Sequence, residues 1–327
     1  MKRLFTNFLF GSALLLTTTV AFANGDKPLA TTAKFEFYNH YWTNLHHFLY
    51  GKAQKTAFDV TVDSLENVII LNLKEEDRKV YDRAVDFYQK YLAERSLLRD
   101  EVMVNIRTCL IPFKDSEVPN CKELEQEHIE LFKAFDPLYK KHFWKLHSAQ
   151  NTKLLNQHLK TIQQIENGIF KKIADLSNSQ WPEGKIRIDL SVHASRSGAY
   201  HLLNPMTVVI STASWQLQGT QFLEMLFHES SHSVISGDKG TISMNIAKAS
   251  KELGKQPPFD FWHIVLFYLA GKATQDELAK LGIEHRLYME EQGIAKRYYN
   301  ILNENMEIYM DNKISLYEAL KRTMEKA

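Results

Sequence analysis

The sequence predicts an α+β fold that is mostly helical, with a small sheet just ahead of an apolar helix and packed on a helical N-terminal half. Three observations carry this expectation. Apolar residues recur at three-to-four spacing through most of the chain, the helical period. The period drops to two in "KIRIDLSVHA" (185–194), where Ile186, Ile188, Leu190 and Val192 alternate as in a half-buried strand. Only 13 Gly and 8 Pro occur in 327 residues, against 19 Phe and 14 Tyr, a composition suited to a dense core rather than to disorder.

The elements follow in order. Residues 1–23 read as a secretory signal peptide: Lys2 and Arg3, an apolar run through Leu14, Leu15 and Leu16 to Val20, then the small-x-small site Ala21-Phe22-Ala23. The mature chain would start near Asn24 and be exported, to a periplasm or to the medium. No Cys stands directly after the cleavage site, so a bacterial lipoprotein anchor is not indicated, and no later stretch is apolar enough to span a bilayer. Residues 24–180 form the expected helical N-terminal region. It comprises an aromatic-rich helix over 31–50, a long helix over 75–110 with Val80, Ala84, Phe87, Tyr91 and Leu92 at three-to-four spacing, and helices near 122–134, 137–149 and 152–176. "SNSQWPEGK" (177–185) breaks that pattern. Residues 181–327 begin with strands near 186–192 and 207–213 and continue in helices near 220–235, 241–254, 259–272, 275–303 and 314–325. No linker separates the two regions, so one continuous domain is also compatible.

The formal charge of +1, with no Lys/Arg block, gives no footprint for nucleic acid or an anionic membrane. Cys109 and Cys121 are the only cysteines, and export makes a disulfide between them the expected state. With no neighbouring Cys/His pair, they do not read as a structural zinc site.

The chemistry concentrates in "FHESSHSV" (227–234). On a helix, i and i+4 share a face, so His228 and His232 can aim imidazole nitrogens at one ion. Glu229, beside the first histidine, is placed to take a proton from water activated by that ion. Phe222, Leu223, Met225, Leu226, Phe227 and Val234 make the helix apolar, which implies that the three titratable groups are buried and need a common partner.

These residues resemble the zincin metallopeptidases over roughly 185–300: strands, then HExxH on a helix, then downstream helices. The resemblance implies a zincin-like catalytic region that binds Zn2+ through His228, His232 and a third ligand. Glu229 would be the general base, and a peptide or protein would be the substrate. The longer HEXXHXXGXXH pattern of one zincin branch is absent, since Ile235 and Asp238 stand where it has its Gly and third His. Three third ligands remain open. Glu252 has a spacing that resembles the glutamate branch but lies among polar neighbours. His263, in "FWHIVLFY", sits in a strongly apolar helix and is preferred on the expected three-ligand count. Glu290 or Glu291 in "YMEEQG" is the last option. Asp260 or Asp238 would orient a ligating imidazole. Tyr268, Tyr288 and His201 are candidates for stabilising an oxyanion. His40, His46 and His47 read as boundary histidines of an aromatic helix, with lining of a cleft as the alternative. Two other functional classes compete: a non-catalytic binding or scaffold protein with structural or absent zinc, and a cell-wall amidase. The second is disfavoured because the HxH pairs many amidases use are missing. Oligomeric state leaves no signature in the sequence.

Overall fold

The computed structural model describes residues 27–55, 60–235 and 240–327; the expected leader and Asp238 lie outside them. The chain opens with two strands, β1 (Ala30–Thr31) and β2 (Phe35–Tyr38), before α1 (Tyr41–Gln54). The expected helix over 31–50 is thus corrected in its first ten residues. "FEFY" alternates with period two, and Phe35 and Phe37 are fully buried on one face of a sheet.

α2 (Val60–Leu71), α3 (Glu75–Tyr91), α4 (Glu101–Leu110), α5 (Gln126–His142) and α6 (Trp144–Ser177) complete the N-terminal part. The long helix expected over 75–110 is two helices. Asp100 caps α4, its side chain accepting from the amides of Val102 (3.0 Å) and Met103 (3.4 Å), and Ser96 Oγ accepts from Arg99 N at 3.1 Å. These local bonds stabilise a turn that competes with helix. In the other direction, helix continues where a break was expected. Pro137 lies inside α5, tolerated because it and Lys133, whose carbonyl it leaves unbonded, are both exposed to water.

β3 (Ile186–Ser191), β4 (Ala199–Leu203) and β5 (Met206–Ser211) follow, and the five strands order as β1-β2-β3-β5-β4. β2, β3 and β5 run parallel, while β1 and β4 are antiparallel edges. β4, which the sequence reading did not resolve, pairs Tyr200 with Val209 and His201 with Val208. The remaining helices are α7 (Thr220–Ile235), α8 (Thr241–Leu253), α9 (Phe261–Ala279), α10 (Tyr288–Glu291), α11 (Tyr299–Met310) and α12 (Leu316–Lys326). The helix expected over 275–303 is interrupted at Gly282 and Gly293, whose φ of 70° and 65° lie in the left-handed region open to glycine.

The sheet is buried on both faces. Ile186, Ile188, Leu190, Val208 and Ile210 join a core with α6, α7, α8, α9, α11 and α12. Tyr200, Leu202 and Val209 face a second core built by α1, α3, α4 and α5. Between the apolar positions of β3 stand Arg187 and Asp189. Asp189 accepts from Arg187 (2.9 and 2.8 Å) and from Arg107 of α4, all three buried. Burial alone would raise the Asp189 carboxyl, but the two guanidinium groups hold it well below the usual range.

Cys109 and Cys121 are bonded, with Cα atoms 6.2 Å apart. The loop they close carries Phe113 O and Lys114 O, which take His40 Nε2 (3.0 Å) and Trp42 Nε1 (2.8 Å) from α1. Reduction should therefore cost up to about 3 kcal/mol of unfolding free energy, measured by urea denaturation with and without a thiol; identical curves would contradict this.

His40, the N-cap of α1, and His46 and His47 within the helix are all completely buried. His47 bonds Thr43 O (2.6 Å) and Tyr200 Oη (2.9 Å), and His46 bonds Tyr88 Oη (2.8 Å). Burial pushes His40 down to about 4, His47 to about 3 and His46 well below its ordinary value. The unfolded chain takes up protons from about pH 6.5 downward while these folded histidines stay neutral, so stability is lost as pH falls below that point. Each contributes a slope approaching roughly 1.4 kcal/mol per pH unit. Urea midpoints should drop between pH 7 and pH 5.5; a flat profile would contradict the burial argument.

Candidate metal centre

α7 forms where the sequence places it, and nearly every residue in it is buried. Its hydroxyls are satisfied within the helix: Ser230 Oγ donates to Leu226 O (2.7 Å) and Ser231 Oγ to Phe227 O (2.6 Å). The helix is covered on one side by β4 and β5 and on another by α9. Gly271 of α9 sits against Glu224 of α7, and a methyl group there would meet Glu224 Oε1 at 2.8 Å. Glu224 Oε2 accepts from His285 Nε2 (2.7 Å) and from the amide of Tyr288 (2.8 Å), which ties α10 to α7.

This crossing brings His263 of α9 to the two motif histidines. One ring nitrogen each from His228, His232 and His263 lie within 4.8 Å of one another. The Nε2 atoms of His228 and His263 are 3.2 Å apart. A tetrahedral zinc with arms of 2.0–2.1 Å spaces its nitrogen ligands by about 3.3 Å. Burial, reinforced by neighbouring histidines, holds His228 and His232 well below their ordinary pKa, so both are neutral and offer a lone pair. His263 Nδ1 lies 3.0 Å from Asp260 Oδ2. A carboxylate only accepts, so His263 Nδ1 carries a proton toward Asp260 while Nε2 faces His228. Asp260 occupies the N-cap of α9 at φ 54° but gives its side chain to His263 rather than to the helix amides. The donor set thus fits a zinc ion by number and residue type, and the His228–His263 pair fits it by spacing.

Glu229 is 7% exposed. Its Oε2 accepts from His201 Nδ1 at 2.9 Å, and the His201 ring stacks on His232 at 3.8 Å and 16°. His201, one of the oxyanion candidates, lines the cleft and holds the glutamate through this bond. Tyr288 lines the same cleft, its ring parallel to Phe267, which in turn stacks on His228 at 3.7 Å. Burial and then the nearby Glu224 and Glu229 push the Tyr288 phenol up to about 12, so it keeps its proton at neutral pH.

The other candidates are placed elsewhere. Tyr268 donates to Asn303 Oδ1 (2.9 Å) and Glu307 Oε1 (3.3 Å) and does not line the cleft. Glu252 is on the surface, bonded to Tyr317 and to Lys321 (3.2 Å), as its polar neighbours suggest. Glu290 is held by Tyr299 and sits 3.5 Å from Arg286, apart from the three histidines.

The cleft, about 1080 Å³, runs between the two cores. Its far wall is the turn between α3 and α4, with Arg95 and Arg99, together with Tyr50, Arg196 and Tyr200. His40, His46 and His47 do not line it, though His47 supports Tyr200 from behind. The chain matches no family model, no curated protein and no solved structure. Its chemistry rests on this geometry.

A second histidine–carboxylate group, invisible in the sequence, lies in the N-terminal core. Glu66 Oε1 stands 2.7 Å from both His147 Nε2 and His193 Nε2, and Lys52 Nζ is 2.5 Å from Oε2. Tyr139 Oη bonds His147 Nδ1 at 2.8 Å. The 2.7 Å separations suit N–H···O bonds and are short for two atoms sharing a zinc. Burial would raise Glu66, yet the paired His193 and His147 hold its carboxyl well below the ordinary range. This group reads as a closed ionic network.

Asp260→Asn should weaken zinc binding by about 10–100-fold, and His263→Ala should weaken it further while Glu252→Ala leaves it unchanged. Competitive chelator titration measures all three; zinc loss in the Glu252 variant alone would overturn the assignment.

Proposed function

We propose that this protein is a zincin-type zinc hydrolase that cleaves peptide bonds. The observation that carries this reading is the convergence of His228, His232 and His263, with Glu229 beside them in an open cleft. When bound there, zinc would supply Lewis acidity to a carbonyl and lower the pKa of water.

The chain's own groups account for the proton movements. Glu229 lines the cleft, and its Oε2 is held by His201 and lies 3.9 Å from His232 Nε2. From that position it accepts a proton from the attacking water and returns it to the leaving amine. Tyr288 keeps its O–H and donates to the oxygen that gains charge as the carbonyl becomes tetrahedral. Trp262, Phe267 and Met225 give the cleft an apolar lining that restricts water and strengthens these interactions. β4 is an edge of the sheet, and its residues 199–201 and Leu203 line the cleft, offering a strand edge to an extended main chain. An exported location, expected from the leader sequence, is part of the same reading.

Glu229→Gln should retain zinc and lose peptide hydrolysis by about a thousandfold or more, and Tyr288→Phe should lose about 10²–10³ in kcat. Peptide cleavage assays with metal analysis check both; a Glu229→Gln variant as active as the parent would overturn the mechanism. A chelator should abolish activity and leave the circular-dichroism spectrum intact, whereas unfolding on chelation would assign the metal a structural role.

A further inference from the structure

Tyr288 opens α10, a helix of four residues with no side-chain cap from its own N-cap residue, Leu287. Amides at a helix start need partners from elsewhere. The Tyr288 amide finds Glu224 Oε2 on α7, at 2.8 Å, and the same oxygen accepts from His285 Nε2 at 2.7 Å. His285 Nδ1 stands 2.9 Å from Thr220 Oγ1, at the start of α7. The carbonyls of the segment are held too: Arg286 O accepts from Gln221 Nε2 (2.7 Å) and His285 O from Gln275 Nε2 of α9 (2.9 Å). Residues 285–288 are thus gripped by the two helices that carry His228, His232 and His263.

Glu224 is an expensive residue for this place. It is fully buried, its Oε1 finds no donor among the described residues, and a side chain at Gly271 would collide with it. An apolar side chain would fill the space without the desolvation cost of a carboxylate. What the carboxylate supplies is an acceptor for the Tyr288 amide and the His285 ring. Glu224 lies four residues before His228, so the two side chains share a face of α7. The Tyr288 ring lies parallel to Phe267, with centroids 6.0 Å apart, and Phe267 covers His228. Backbone and ring of Tyr288 are therefore placed by the same helices as the metal site.

We infer that Glu224 is a positioning residue for Tyr288: it caps α10 from outside, through the bond to the Tyr288 amide, and so aims the phenol into the metal cleft. The functional motif of α7 then begins one turn earlier, at Glu224 rather than His228, and is completed by His285 and Tyr288. The effect on catalysis rests on the peptidase reading; the clamp on residues 285–288 stands on its bonds.

The test is a double-mutant cycle on the zinc-loaded full chain. Glu224→Asp keeps the charge but withdraws its oxygens from the Tyr288 amide by one methylene. It should lower kcat by about 10- to 100-fold with KM nearly unchanged, and leave zinc affinity, read by chelator titration, as in the parent. Glu224→Gln, which keeps an accepting oxygen, should recover most of that loss. In the Tyr288→Phe background Glu224→Asp should lower kcat no further, because both changes remove the same interaction. Losses that multiply in the double variant, or a fall in zinc affinity with Glu224→Asp, overturn the positioning role. So does a Glu224→Gln chain that melts like the parent yet loses as much kcat as Tyr288→Phe. Amide hydrogen exchange reads the clamp without turnover. Exchange at Tyr288 should be slow in the parent and in Glu224→Gln, and about tenfold faster or more in Glu224→Asp. Equal exchange in the parent and Glu224→Asp overturns the clamp. A parent that cleaves no peptide, with the exchange pattern as expected, overturns the peptidase reading alone.

Discussion

The close crossing of α7 and α9 is the constraint on which the site depends. Gly271 lets α9 approach until the Glu224 carboxylate fills the space a side chain would occupy. Glu224 in turn gathers His285 and the amide of Tyr288, so one buried carboxylate sets the distance between two helices and places a third. Burial raises the Glu224 carboxyl, the His285 and Tyr288 bonds only partly offsetting that cost. The consequence appears one turn along α7. His228 and His232 face His263 at ligand spacing, and Phe267, one turn beyond His263, covers the His228 ring.

The helical N-terminal part is more than a support. The turn between α3 and α4, held by Asp100 and Ser96, forms the wall opposite the histidines. Behind it, Arg107 of α4 reaches the sheet at Asp189, and the Cys109–Cys121 bond ties the end of α4 to the loop that satisfies α1. His47 reaches from α1 to Tyr200, the neighbour of His201 on β4. A chain of buried polar contacts thus runs from the first helix to the residue that orients Glu229. Such networks stabilise one arrangement only when every member is paired, which is how the Glu66, His147, His193 and Lys52 group is built.

Legibility in the sequence followed the range of the interactions. α7 was readable to the residue because its apolar pattern is local and its histidines are related by a single helical turn. His263 could be singled out because a histidine among Trp262, Ile264, Val265, Leu266 and Phe267 is odd on any helical phase, but its meeting with His228 depends on a crossing 35 residues away in sequence. β2 was lost because four alternating residues run straight into an aromatic helix. β4 was lost because His201 and Tyr200 face opposite sides of a sheet that is buried on both. The break between α3 and α4 lay in capping by Asp100, against a helical apolar pattern that continued through it. The Glu66 group joins residues up to 127 positions apart, and no spacing rule reaches that far.

The central claim is that three imidazoles from two crossed helices hold one zinc ion. X-ray absorption spectroscopy of the zinc-loaded protein tests it most directly. The account predicts three imidazole nitrogens at about 2.0–2.1 Å with one further light ligand. A first shell with only two imidazoles, or one in which a glutamate replaces His263, would contradict it.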